Sequence, residues 1–148
     1  ILQEYCVEKI DIVVVIKMLL IHDLVEIYTG DTFLYDKEKR DEIKEKEARA
    51  AEKVFSFLPE DQKNEYLKLW YEFEEKKSKE AQYAAVLDNF QPILNHYYTN
   101  NKNIIGKKLK KSEVISKKIF IKDYSDEIWD FALKIIEDSV KIGLYIND

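Results

Sequence analysis

Glycine and proline are scarce in this sequence, which has 3 and 2 of them among 148 residues. Sheet-rich folds place turn residues between short strands every few positions, so this scarcity argues against a β-sandwich or a barrel. Long helices joined by few loops fit the composition better. The sequence therefore predicts an all-α fold, a single-domain bundle of about six or seven helices.

Cysteine and concentrated positive charge are also lacking. Cys6 is the single cysteine, so an intramolecular disulfide and a zinc finger are both excluded. The net charge is −5 with both signs interspersed, whereas a nucleic-acid binder carries a strongly basic stripe. The short basic run at 107–111 is interpreted as a solvated connector, with a phosphate-attracting rim as the alternative. We therefore expect a cytoplasmic protein without a nucleic-acid partner.

No apolar run is long enough to span a membrane. The most apolar stretch, residues 10–21, is interrupted by Asp11 and Lys17, and a span needs about 20 mostly apolar residues. We predict instead a buried helix at the centre of the bundle, apolar on nearly all faces. Asp11 is its expected N-cap, and Gly30 is expected to end it.

The remaining periodicity predicts further helices and their caps. They are expected over 36–58, from Pro59 through Phe73, from Ser78 to Tyr97 with a kink or break at Pro92, near Glu113, and from Asp126 to Ile142 with Ser125 as the cap and Gly143 as the stop.

Polar residues interrupt the apolar central helix at His22 and Asp23. Buried ionisable groups are usually paired or bound to metal. Glu26 follows on the same side of the helix, and Asp31 adds a carboxylate at the helix end. Imidazole and carboxylates together are ligands of Mg²⁺, Mn²⁺, Co²⁺, Fe and Zn²⁺. The pattern indicates a divalent metal site, with a hydrogen-bonded core histidine as the alternative.

Asp88 is a second interruption, because it follows the apolar run at 84–87. It is either a further metal ligand or the partner of a buried Lys or Tyr.

The segments IKMLLIHDLVEIYTGDTFLYD, EKEARAAEKVFSFLPEDQ, LWYEFEE and SKEAQYAAVLDNFQPILNHY together resemble the HD-domain hydrolases. The resemblance is greatest to the branch that contains bacterial 5′-deoxynucleotidases, and it is strongest over residues 1–100. It implies one HD domain over 1–148. In that family a divalent ion is held by a first histidine, a His-Asp pair and a later aspartate. The pair corresponds to His22 and Asp23 and the later residue to Asp88, while the acidic pair that assists hydrolysis corresponds to Glu26 and Asp31.

The family's first histidine has no counterpart in these 148 residues. The alignment places it about ten residues before Ile1, so we expect the domain to be incomplete at its N-terminus. His96 is a poor substitute, because it follows Asp88 by eight residues, about 12 Å along a straight helix.

The resemblance implies metal-dependent hydrolysis of phosphomonoesters, with nucleoside 5′-monophosphates as substrates and a homodimer as the assembly. Metal-activated water would attack phosphorus, assisted by Glu26 and Asp31. Three alternatives stay open. They are a catalytically degenerate HD module with a binding or regulatory role, a phosphodiesterase of signalling nucleotides, and a structural protein in which the polar residues form a buried hydrogen-bond network.

Overall fold

The computed structural model describes residues 2–30, 40–100 and 109–148. Within these ranges the regular elements are helices, with one isolated bridge between Lys110 and Ile146, which confirms the all-α class. The α-helices are α1 (Ile12–Ile21), α2 (Glu26–Thr29), α3 (Arg40–Phe55), α4 (Glu60–Glu75), α5 (Lys79–Thr99), α6 (Lys111–Lys118) and α7 (Asp126–Lys141), and the 3₁₀ turns are Leu2–Tyr5, His22–Val25 and Ile119–Asp123.

The contacts of the chain define two compact units. One unit is Asp11–Ala84, and the other combines Ile1–Ile10 with Ala85–Asp148. Helix α5 begins in the former unit and continues into the latter. The single domain expected for residues 1–148 stays a prediction.

In the unit Asp11–Ala84, the start of the first helix is as predicted but its length is not. The Val13 amide donates to Asp11 Oδ1 at 2.9 Å, so Asp11 is the N-cap. The α-helix ends at Ile21, and a 3₁₀ turn over His22–Val25 leads into the single turn of α2. Gly30, with φ of +75°, closes that turn as expected. The continuous helix predicted up to Gly30 is therefore wrong, and it breaks where the polar residues begin.

Helix α1 is not buried on all sides, contrary to the prediction of a central helix. It packs against α4 and α4 buries its own apolar face. The buried residues of α1 are Val15, Met18 and Ile21. On its other side, Val13 and Leu20 keep 56% and 72% of their surface exposed. None of the helices in the described part of the chain is long and apolar enough to cross a membrane.

Helix α5 carries the predicted cap, since the Ala81 amide donates to Ser78 Oγ at 3.1 Å. It then continues through Pro92 without the division that was considered possible. Proline has no N–H, so Pro92 makes no hydrogen bond to the Asp88 carbonyl one turn earlier.

In the second unit, helix α7 begins and ends where the sequence predicted. The Ile128 amide donates to Ser125 Oγ at 3.2 Å, and Gly143 follows the helix with φ of +77°. The helix packs against α6. The C-terminal segment pairs with the residues before α6, because the amide of Ile146 donates to the Leu109 carbonyl at 2.9 Å.

Ser139 of α7 offers a test of this packing. Its side chain is fully buried, and its Oγ has no hydrogen-bond partner among the described residues. An unsatisfied buried hydroxyl costs about 1–3 kcal/mol, and alanine is the better helix former. We expect Ser139→Ala to raise the free energy of unfolding by about 1 kcal/mol in urea titrations. Ser116→Ala, at an exposed helical position, is the control, and an equal gain in both variants would contradict this explanation.

Candidate metal centre

His22 is the first residue after α1, and its ring is held from two directions. Nδ1 lies 2.9 Å from the carbonyl oxygen of Leu19. A carbonyl only accepts, so Nδ1 carries a hydrogen. In the neutral form of the ring, the lone pair is then on Nε2. The Phe73 ring lies against the imidazole, with the centroids 4.7 Å apart. Only 12% of the His22 side chain is exposed, so the backbone break and these contacts fix where Nε2 points.

Nε2 of His22 lies 2.9 Å from Oδ1 of Asp23. Adjacent ligands of an octahedral ion, each about 2.1 Å from it, lie about 3.0 Å apart. The two atoms therefore have the spacing of neighbouring ligands to one ion, and 70% of the Asp23 side chain is open to solvent. The contact of His22 with the Leu19 carbonyl matches the outer-shell hydrogen bond that fixes the tautomer of metal-binding histidines. The pair fits a divalent ion, and it equally fits an ion pair of a protonated imidazole.

Of the two residues in the predicted acidic pair, the structure describes Glu26 only. Glu26 begins α2, directly after the 3₁₀ turn that carries His22, and is half-buried. Asp31 lies outside the described residues. Its role stays a prediction.

Asp88 lies on α5 in the second unit and is half-buried. Nδ2 of Asn89 donates to Asp88 Oδ2 at 3.3 Å and to the Ala85 carbonyl at 2.9 Å. Nζ of Lys118 donates to Oδ1 of the same amide at 2.6 Å. One predicted alternative was a buried lysine as the partner of Asp88, and a buried lysine is linked to Asp88 through Asn89.

Sequence reasoning missed Asn89 and Lys118. A signal for the lysine was present, because Val114, Lys118 and Ile121 recur at helical spacing and all three are buried. A lysine on such a stripe needs a polar partner. No comparable signal marks Asn89.

His96, which the sequence indicated to be a poor metal ligand, lies against Tyr145. Its Nδ1 lies 3.2 Å from the Tyr145 hydroxyl. Burial lowers the pKa of His96, and the nearby Lys118 cation lowers it further. This environment favours a neutral ring that bonds to a tyrosine.

Across residues 2–30, 40–100 and 109–148, no group of three or more His, Cys, Asp and Glu side chains is arranged to hold a metal ion. The described geometry brings His22 and Asp23 together, and their role as metal ligands stays a prediction. A third ligand, whether Asp88 or another residue, stays a prediction.

A family model described as the HD domain matches residues 1–129, and the chain belongs to this family. The match extends past residue 100, beyond which the sequence resemblance was loose.

Among curated relatives, the 5′-deoxynucleotidase HDDC2 of Mus musculus is 34% identical over 79 residues, which is 53% of this chain and 40% of the relative. The protein of the same name from Dictyostelium discoideum is 34% identical over 90 residues, 61% of this chain and 47% of the relative. This chain therefore spans less than half the length of these relatives.

A solved structure shares the fold. It is the crystal structure of a protein described as a predicted metal-dependent phosphohydrolase from Magnetospirillum magnetotacticum MS-1. The TM-score is 0.82 at 34% sequence identity, over 97% of this chain and 74% of that one.

Proposed function

We propose that this protein is a metal-dependent phosphohydrolase that cleaves phosphomonoesters, with nucleoside 5′-monophosphates as its substrates. The observation that carries the proposal is the His22–Asp23 pair, whose Nε2 and Oδ1 have the spacing of adjacent metal ligands. The HD family match and the names of the relatives, 5′-deoxynucleotidase and metal-dependent phosphohydrolase, support the same reaction class.

We assign the metal to His22, Asp23 and Asp88, on the resemblance for the full set and on geometry for the first two. The donor set suits Mn²⁺, Co²⁺, Mg²⁺, Fe or Zn²⁺. When bound, such an ion supplies Lewis-acid chemistry, lowering the pKa of water and polarising a phosphoryl oxygen.

Two carboxylates of the chain then carry out the proton transfers of the reaction. Glu26, at the start of α2, and Asp31 orient the attacking water and pass a proton to the leaving alkoxide as the phosphorus–oxygen ester bond breaks. The products are the alcohol, here a nucleoside, and inorganic phosphate. The division of acid and base between the two carboxylates is left open.

The proposal has three further parts, of which the first two rest on the resemblance and the third on the single cysteine. They are one HD domain over residues 1–148, a homodimer, and a cytoplasmic location.

The test is phosphate release by the full-length protein after chelation and after the return of Mn²⁺, Co²⁺ or Mg²⁺. The substrate panel contains ribo- and deoxyribonucleoside 5′-monophosphates, a 3′-monophosphate and a cyclic dinucleotide. We expect release from 5′-monophosphates that chelation abolishes and metal restores.

Each other outcome favours one alternative. Cleavage of the cyclic dinucleotide alone would favour the phosphodiesterase. Stoichiometric metal without turnover would favour a regulatory HD module. A folded protein that takes up no metal would favour the structural network around His22.

A further inference from the structure

The contact between Asp88 and Asn89 is unusual for neighbours on a helix. Side chains at adjacent positions point in directions about 100° apart and do not face each other. The 3.3 Å contact between the Asn89 amide and Asp88 Oδ2 therefore needs something else to hold the amide in place. Two further hydrogen bonds do so, one from the Asn89 amide to the Ala85 carbonyl and one from Lys118.

Lys118 determines the orientation of the Asn89 side-chain amide. An ammonium group only donates, so the amide oxygen must face Nζ of Lys118, at 2.6 Å. The NH₂ group then faces the other way, where both of its contacts are acceptors: the Ala85 carbonyl and the Asp88 carboxylate. Donor and acceptor chemistry therefore fixes the orientation of the amide.

The burial of Lys118 makes this arrangement costly to maintain. Only 7% of Lys118 is exposed, on the same stripe as the buried Val114 and Ile121. Replacing a whole buried ion pair with apolar residues is often neutral or stabilising, so a buried charge is weak evidence for stability. A contribution to stability is therefore a weak explanation for a lysine at this position. Orientation of the Asp88 carboxylate explains it directly.

We propose that Asn89 and Lys118 are positioning residues for metal binding: Lys118 fixes the Asn89 amide, and the amide orients the carboxylate of Asp88. This inference rests on the proposed function, because it takes Asp88 as a metal ligand. It assigns Lys118 no direct contact with substrate or metal.

The primary test is the affinity of the metal-free full-length protein for Mn²⁺, measured from the electron paramagnetic resonance signal of the free ion. Loss of an outer-shell partner typically weakens metal binding by about 10–100-fold. We expect a loss in this range for Lys118→Met, which keeps the length of the side chain and removes the donor. Lys118→Arg, which still donates, should bind Mn²⁺ more tightly than Lys118→Met.

A second pair of variants removes the amide itself. Asn89→Leu keeps the approximate shape and removes the donor to Asp88, so the same loss of Mn²⁺ affinity is expected. Because Lys118 acts through Asn89, the double variant should bind Mn²⁺ no more weakly than Asn89→Leu alone. Matched controls are Asn95→Leu on an exposed position of α5 and Lys122→Met on an exposed position of the following turn, both with wild-type affinity.

Thermal melting without metal separates positioning from a structural role. Positioning predicts that folded Lys118→Met loses Mn²⁺ affinity even at temperatures well below its melting temperature, where lost stability cannot account for weaker binding. A lower melting temperature with unchanged affinity would overturn the inference and leave the proposed function standing. A wild-type protein that binds no Mn²⁺ would overturn both.

Discussion

Replacing His22 with glutamine is expected to lower the affinity for Mn²⁺ by more than about 100-fold, beyond the range for groups that only orient a ligand. The reason is local geometry. Nε2 of His22 and Oδ1 of Asp23 lie 2.9 Å apart, and the Leu19 carbonyl holds the tautomer that presents Nε2 to an ion. Metal-dependent phosphate release should be lost in the same variant. Calorimetric titration of Mn²⁺ into the metal-free protein measures the affinity directly.

His96→Gln is the matched control, because it makes the same chemical change at the chain's other histidine. His96 is hydrogen-bonded to Tyr145 and has a lowered pKa, an environment that has no part in the proposed ligand set. This variant should bind Mn²⁺ with wild-type affinity. Normal Mn²⁺ binding by His22→Gln would mean that the His22–Asp23 contact is an ion pair of a protonated imidazole. The ion would then be held by other residues, and the proposed ligand set would be wrong.

The features that sequence predicted correctly are those decided within one helical turn. Asp11 and Ser125 cap their helices through hydrogen bonds to amides two and three residues away. Gly30 and Gly143 adopt the positive φ that ends a helix. These interactions involve only near neighbours, so residue type and position were enough to find them.

The features that the sequence analysis missed depend on tertiary packing, that is, on which other helices contact the segment in question. The apolar stretch of α1 does not reveal which face is buried, and Leu20 is 72% exposed although its neighbour Ile21 is buried. The break at His22 was also hidden, because apolar residues are frequent both before and after the His22–Asp23 pair and suggested one continuous helix. Pro92 was expected to kink the helix or divide it, and α5 continues through it without division, at the loss of one backbone hydrogen bond.

The candidate site divides in the same way. His22 and Asp23 are adjacent in sequence, so the sequence alone was enough to predict that their side chains lie together. Asn89 and Lys118 are separated by 29 positions, and only folding brings them within hydrogen-bonding distance. When two residues in contact are far apart in sequence, the sequence marks at most one of them. Here it marks Lys118, which lies among apolar residues at helical spacing.

Phe73→Ala is expected to lower the free energy of unfolding by about 3–5 kcal/mol, as is usual when a buried phenylalanine is truncated. Phe73 is 5% exposed on the inner face of α4. Since whole domains are stable by only about 5–15 kcal/mol, the loss is a large share of the total. Urea titration measures it. Because the ring also packs on His22, we expect the folded fraction of the variant to bind Mn²⁺ about 10-fold more weakly.

Phe55→Ala separates these two effects. Phe55 is 2% exposed in the same unit and stacks on Tyr66 at 6.2 Å between centroids, so its truncation should cost similar stability. The Phe55 ring stacks on Tyr66, whereas the ring that packs on His22 is that of Phe73. The folded fraction of Phe55→Ala should therefore bind Mn²⁺ as the wild type does. Wild-type Mn²⁺ affinity in both variants would mean that the Phe73 ring has no part in orienting the imidazole. Weaker binding in Phe73→Ala only would show that the core residue beside His22 also prepares it as a ligand.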